Sequence, residues 1–315
     1  MPIIKVKDIA YGRLRSPDLD EQEAFLTDFG MVRVERTNDA LYMRGTDPDQ
    51  YIHVTHKGEP GFVGFAYDAA SEEDLDRLSK APGASSVESM DDPGGGKRVR
   101  LTEPNGYQIE VVYGRDKHKP IPVKFQKLNM GPESHNRAGE MMRIHVGPSR
   151  VKRIGHGVMG STNLKETVAW FREMLGFIGT DDVYAGEQGN IIGSFNRCDQ
   201  GDEFVDHHVF FCIQSDKSGL NHFSFEVADV DDVFTGHEYL QKLGKYEHMW
   251  GLGRHLLGSQ IYDYWSDPWG RVHEHWSDSD RLNLANGSNL ISAEEGLLSQ
   301  WGEPPPQKFI ERIVA

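Results

Sequence analysis

The chain has only two cysteines, Cys198 and Cys212, in 315 residues. That is too few for a disulfide framework or a thiolate zinc cluster, and because Cys212 sits inside the apolar run 209–213 both thiols read as reduced and buried. Positive charge is also scarce: 34 Lys and Arg against 49 Asp and Glu leave a formal charge of −15. Such a field repels nucleic acid and anionic membranes, and no basic stripe offsets it, so neither is expected as a partner. Long hydrophobic runs are missing. The run 209–213 is the longest strongly apolar one, far below the roughly 18 residues that cross a bilayer, and the opening MPIIKVKDIA has no signal-peptide core. A soluble, cytoplasmic protein is expected. Gly94-Gly95-Gly96-Lys97 lacks the spacing of a phosphate-binding loop and follows an Asp-Pro pair, so it reads as a hairpin tip.

What is present is length, aromatics and histidine. The chain has room for two domains of ordinary size, and an aromatic content of 10% argues against disorder. Fourteen histidines are the one chemical hint in the composition, because neutral imidazole is the commonest side-chain metal ligand.

An internal duplication organises the chain. Ile9-Ala10-Tyr11-Gly12 pairs with Ile154-Gly155-His156-Gly157, each a strand feeding a helix. The second of these helices starts at a Thr162/Asn163 cap, carries Leu164, Val168, Phe171 and Leu175, and stops at Gly176; the first carries Phe25 and Phe29 and stops at Gly30. Gly61-Phe62-Val63-Gly64-Phe65-Ala66-Tyr67 pairs with Gly219-Leu220-Asn221-His222-Phe223-Ser224-Phe225, each followed by an amphipathic helix, 71–80 and 230–243. Last, Glu103-Pro104-Asn105-Gly106 and Asp267-Pro268-Trp269-Gly270 are acid-Pro-x-Gly turns, each leading to a strand that ends in Glu110 or Glu274. Each half therefore reads as two strand-helix-strands units, an α+β protein with sheets curled around a cavity and helices outside. The first half is expected as a domain over 1–140 and the second as a domain over 150–280. Segment 115–150 has the composition of a connector, and 281–315, with Pro304-Pro305-Pro306, that of a tail packed over a domain surface.

At the three anchors the second half has His156, His222 and Glu274 where the first has Tyr11, Gly64 and Glu110. Two imidazoles and a carboxylate from separate strands are what a facial metal triad needs, leaving adjacent positions open on a divalent ion. Any one of these histidines alone is more often a hydrogen-bonded surface or core residue; their joint occurrence at equivalent positions, in one copy only, points to metal. Strand alternation turns His273 and His275 away from Glu274, so both are expected on the outer face.

His156, Asn221-His222-Phe223, Gly253-x-His255, Tyr264, Asp267-Pro268-x-Gly270 and Glu274, with spacings of nine and ten residues from His255 to Tyr264 to Glu274, resemble the type I extradiol (ring-cleaving) catechol dioxygenases of the vicinal oxygen chelate superfamily. The likeness spans about residues 5–280, and one position departs from it: Asp263 stands where the signature has an aliphatic residue or Phe. The resemblance implies two domains of two βαβββ modules each, the first without metal, and Fe(II), or less often Mn(II), on His156, His222 and Glu274. It implies that a catechol and O₂ meet on the open positions and that the ring is cut beside its hydroxyl pair. His207, the first of the pair His207-His208, would be the acid–base histidine, with His208 the alternative because neighbours on a strand face opposite ways. His255 and Tyr264 would hydrogen-bond the substrate hydroxyls. Trp250, Trp265 and Trp269 could line an apolar pocket, and Asn221, beside a ligand, could touch substrate or be structural. No Arg stands just before Gly251, which disfavours a carboxylated catechol, although Arg254 weakens that reading. A homo-oligomer is implied as well. Two other readings remain: a glyoxalase- or epimerase-like metal enzyme without O₂ chemistry, and a metal-free binding protein of bleomycin-resistance type.

Overall fold

Alternating apolar segments and capped amphipathic stretches recur in one order along the chain, and the computed structural model describes them over residues 1–125 and 127–315. The first unit is β1 (Asp8–Ser16), α1 (Leu19–Asp28), β2 (Val32–Arg36), β3 (Ala40–Arg44) and β4 (His53–Lys57). The second is β5 (Gly61–Asp68), α2 (Glu72–Leu78), β6 (Glu88–Ser89), β7 (Lys97–Thr102) and β8 (Gln108–Tyr113). The third is β9 (Val151–Ser161), α3 (Leu164–Leu175), β10 (Phe177–Tyr184), β11 (Ile191–Cys198), the short β12 (Val205–Asp206) and β13 (Phe210–Gln214). The fourth is β14 (Gly219–Val227), α4 (Val230–Leu243), β15 (Glu247–His255), β16 (Ile261–Ser266) and β17 (Val272–Ser277). Beyond these come β18 (Arg281–Leu282), β19 (Asn289–Ser292), α5 (Ala293–Gly296), β20 (Ser299–Trp301) and α6 (Gln307–Ile310).

The duplication is a duplication of topology. The first sheet runs β2-β3-β4-β1-β5-β8-β7-β6 and the second β10-β11-β13-β9-β14-β17-β16-β15, with β19 and β20 added at its two ends. Local chemistry sets the punctuation: Asn163 caps α3 through its side chain, and Gly176 ends it in the left-handed region at φ 75°. Leu164, Val168, Phe171 and Leu175 form its buried stripe. Both thiols are buried and free, as the composition implied. No helix among the described residues is long and apolar enough to cross a membrane.

One apolar core runs through both halves, from Leu14, Phe25 and Phe65 to Phe171, Phe210 and Phe223. Where β1 and β9 meet, two glycines make the approach possible. A Cβ on Gly12 would lie 2.5 Å from the Phe223 ring, and one on Gly157 2.1 Å from the Phe65 ring. Phe65 and Phe223 occupy matching positions in the two copies, so the contact is reciprocal.

Two expectations need correction here. His273 and His275 do turn away from Glu274, but that face is covered: both are fully buried between the halves. His275 stacks on Phe29 at 3.6 Å and contacts its carbonyl at 2.6 Å, while His273 Nε2 is 3.3 Å from His53 Nε2. The 281–315 segment does more than lie on a surface. β19 extends the sheet beside β10, β20 pairs with β15, and Leu220 and Val314 exchange backbone hydrogen bonds.

Candidate metal centre and active site

Register across the second sheet assembles the site. Ser224 of β14 stands opposite His156 of β9 on one side and Glu274 of β17 on the other; Glu274 faces Tyr264 of β16, which faces Trp250 of β15. His222 lies two residues before Ser224, on the same face of β14. Five neighbouring strands thus point one row of functional side chains into the concave side of the sheet.

The three anchor residues come together. His156 Nε2 is 3.2 Å and His222 Nε2 3.5 Å from Glu274 Oε2, and all three side chains are buried. Glu274 accepts from the Ser224 hydroxyl. Burial raises the Glu274 pKa, but contacts with His156, His222 and His255 outweigh it and hold the carboxyl well below the usual range. Burial lowers the His156 pKa, so its imidazole is kept neutral as a ligand needs. Asn221 Oδ1, 2.6 Å from His222 Nδ1, fixes the ring with Nε2 turned inward, and Asn221 Nδ2 donates to the Arg312 carbonyl of the tail. His222 Nε2 and Glu274 Oε1 are buried with no hydrogen-bond partner. Buried polar atoms left unpaired at the meeting point of two imidazoles and a carboxylate, with one ligand atom from each within 4.8 Å of the others, fit a divalent cation.

Around this centre lies a cavity of about 270 Å³. His255 Nε2 is 2.8 Å from the Tyr264 hydroxyl and 3.6 Å from Glu274 Oε1. Burial, and next the Glu274 charge, push the Tyr264 pKa well above its ordinary value, so the phenol keeps its proton. Trp250 lines the cavity and stacks on Tyr264 at 5.3 Å.

The pair His207-His208 is arranged opposite to the expectation. His208 lines the cavity with its ring 4.1 Å from that of His156. His207 turns outward: its Nε2 is 2.7 Å from Asp181 Oδ2 and its Nδ1 3.0 Å from His208 Nδ1. Trp265 is also misplaced by the sequence reading. It is buried on the other face of β16, donating to Asp263 Oδ2 at 2.5 Å, whereas Trp269 lies under the Arg271 guanidinium. The alternation that separates His273 from Glu274 also separates Trp265 from Tyr264, and that signal was available in the sequence.

Other walls went unforeseen. Phe195 and Phe211, stacked at 3.8 Å on neighbouring strands, close one side. Leu297, Leu298, Phe309 and Ile310 of the tail close another, with Phe309 4.7 Å from the Tyr264 ring and 5.9 Å from His222. Among the described residues, no Asp, Lys or Arg lines the cavity.

No family model matches the chain. Among curated proteins it is 27% identical to metapyrocatechase 2 of Cupriavidus necator over 98% of this chain and 93% of that one. Among solved structures it superposes on the Mn(II)-bound glyoxalase from Novosphingobium aromaticivorans with a TM-score of 0.79 at 23% identity, covering 96% of this chain and 94% of that one. It also superposes on homoprotocatechuate 2,3-dioxygenase from Brevibacterium fuscum with a TM-score of 0.80 at 16% identity, covering 99% and 94%. The architecture is that of the vicinal oxygen chelate proteins. Further curated proteins that it resembles, at 24% identity, are a manganese-dependent 2,3-dihydroxybiphenyl 1,2-dioxygenase of Geobacillus genomosp. 3, over 92% of this chain and 88% of that one, and a metapyrocatechase of Geobacillus stearothermophilus, over 78% and 75%.

Proposed function

We propose that the protein is an extradiol dioxygenase, which opens a catecholic ring beside its two hydroxyls and places both atoms of O₂ in the product. The observation that carries this reading is the buried row His156, His222 and Glu274, with His222 Nε2 and Glu274 Oε1 among its unpaired polar atoms, beside a cavity that also holds His208, His255 and Tyr264. His156 Nε2, His222 Nε2 and a Glu274 oxygen would hold Fe(II), with Mn(II) the alternative. When bound, such a metal supplies Lewis-acid activation of the diol and an electron path between diol and O₂.

The side chains supply the rest. His208, its Nδ1 engaged by His207, would move a proton between substrate hydroxyl and oxygen through Nε2. The His255–Tyr264 pair, 2.8 Å apart, would hold a substrate oxygen in place. Phe195, Phe211 and Phe309 would grip the ring and exclude water. A small cavity with no Arg or Lys among its described lining residues to pair with a carboxylate suits a monocyclic catechol carrying an uncharged substituent. Residues 1–140 are proposed as a domain without metal and 150–280 as the catalytic one.

The test is anaerobic reconstitution with Fe(II), then air and 3-methylcatechol. A yellow product with one O₂ consumed per ring is expected. A protein that holds one iron per chain yet shows neither colour nor oxygen uptake with 3-methylcatechol, 2,3-dihydroxybiphenyl or homoprotocatechuate would overturn the proposal. Oxygen uptake separates it from a glyoxalase-type reaction, which consumes none.

A further inference from the structure

Behind the active face of β16, a second cluster of metal-ligating side chains is unrelated to the cavity. Asp263 is completely buried, with its Oδ1 3.0 Å from His237 Nδ1 and 2.8 Å from His248 Nε2. Its other oxygen accepts from Trp265 Nε1. The residues come from three elements: His237 from α4, His248 from β15 and Asp263 from β16.

A buried carboxylate is costly unless a cation balances it. Burial raises the Asp263 pKa, but the contacts with His237 and His248 outweigh it and keep the group ionised. No Lys or Arg pairs with Asp263 among the described residues; its ion-pair partners are the two imidazoles. The balancing charge is therefore an imidazolium or a divalent ion held by all three. The geometry already suits the ion. The three ligand atoms lie within 4.8 Å of one another, and the two measured edges, 2.8 and 3.0 Å, approach the roughly 3.3 Å between ligands of a tetrahedral zinc. Trp265 orients the carboxylate through its free oxygen, as supporting residues do around metal ligands. Side-chain exposures of 13% for His237 and 28% for His248 leave one edge open for entry and for a water ligand.

We propose that His237, His248 and Asp263 form a second divalent-metal site, of zinc type, which ties α4 to β15 and β16. Imidazole nitrogens with one carboxylate select a borderline metal such as zinc or cobalt over calcium or magnesium. None of the three ligands lines the active-site cavity, so the site offers no room for a diol and acts as a structural clip. Its place is behind the strand that presents Tyr264 to the cavity.

The test uses the full-length E274Q variant, in which the first site is disabled, and E274Q/H248Q, with far-UV circular dichroism to verify folding. Calorimetric titration of E274Q with Zn(II) should give about one equivalent bound at micromolar or lower dissociation constant, with a rise in melting temperature on the order of 5 °C. Co(II) should give the visible bands of a four-coordinate site. Both signals should vanish in E274Q/H248Q. No Zn(II) binding by folded E274Q at micromolar free metal, or unchanged binding by the double variant, would overturn the proposal. Should E274Q fail to fold, zinc-loaded wild type should carry two equivalents per chain and H248Q one; equal counts in the two would overturn it as well.

Discussion

At the residue scale, the proposed chemistry rests on which of two adjacent histidines faces the cavity. His208 does so, packed against His156, and His207 is held between Asp181 and His208. Replacing His208 by Phe should leave iron content intact and slow turnover by about 10²- to 10⁴-fold, the usual contribution of a general acid–base group. Replacing His207 by Phe, which frees the His208 ring without removing it, should cost about 10- to 100-fold, as for loss of an orienting partner. Single-turnover rates on iron-quantified protein check both, and a larger effect at His207 than at His208 would reverse the assignment. The sequence could not decide between the two because alternation gives opposition, not phase. Residues 207–209 form a bend between β12 and β13, where no strand regularity sets the direction of either ring. His156, His222 and Glu274 were legible for the opposite reason. Each lies within a regular strand, and the other copy offered a matching position that lacks a ligand or, at Glu110, engages its carboxylate with Tyr11, Arg13 and Arg100.

At the element scale, helices and strands with full periodicity were readable, and short ones were not. α3, with its Asn cap, apolar stripe and terminal Gly, could be bounded from its residues alone. The tail could not: β20 has three residues and α6 four, too few to show a period, and a run of prolines reads as surface. Yet this tail places Phe309 against His222, Tyr264 and Trp250. Phe309→Ala should lower kcat/KM for 3-methylcatechol by about 10- to 100-fold, mostly through KM, since burial of an aromatic ring is worth about 1.5–3 kcal/mol. Steady-state kinetics at matched iron content decide this; an unchanged KM would mean that the tail wall does not touch the substrate.

At the scale of the whole molecule, the two copies share one interior, and that interior holds imidazoles. His53, from the first half, is buried against His273 from the second, and burial, followed by the His273 and Arg271 charges, holds its pKa well below the ordinary 6.5. Burial holds His273 at about 4, against the Asp267 charge, which raises it. A group with a folded-state pKa below its unfolded one binds protons on unfolding, so its contribution is complete above pH 6.5 and is lost as the pH falls below it. The slope can reach about 1.4 kcal/mol per pH unit for each such group. Urea unfolding from pH 7.5 down to 5 should show this decline, and His53→Gln, which keeps a polar partner but cannot titrate, should flatten it. An equal slope in the variant would assign the acid sensitivity elsewhere.

The reciprocal insertion of Phe65 over Gly157 and of Phe223 over Gly12 has a consequence for how such a molecule can change over time. Each copy supplies both the ring and the space for the other's ring, so the demand on the two is symmetric even though their chemistry is not. A doubled chain built this way can shed ion-holding side chains from one copy at little cost to its architecture. It cannot shed that copy, because the surviving half would be left with an aromatic ring and no slot to receive it.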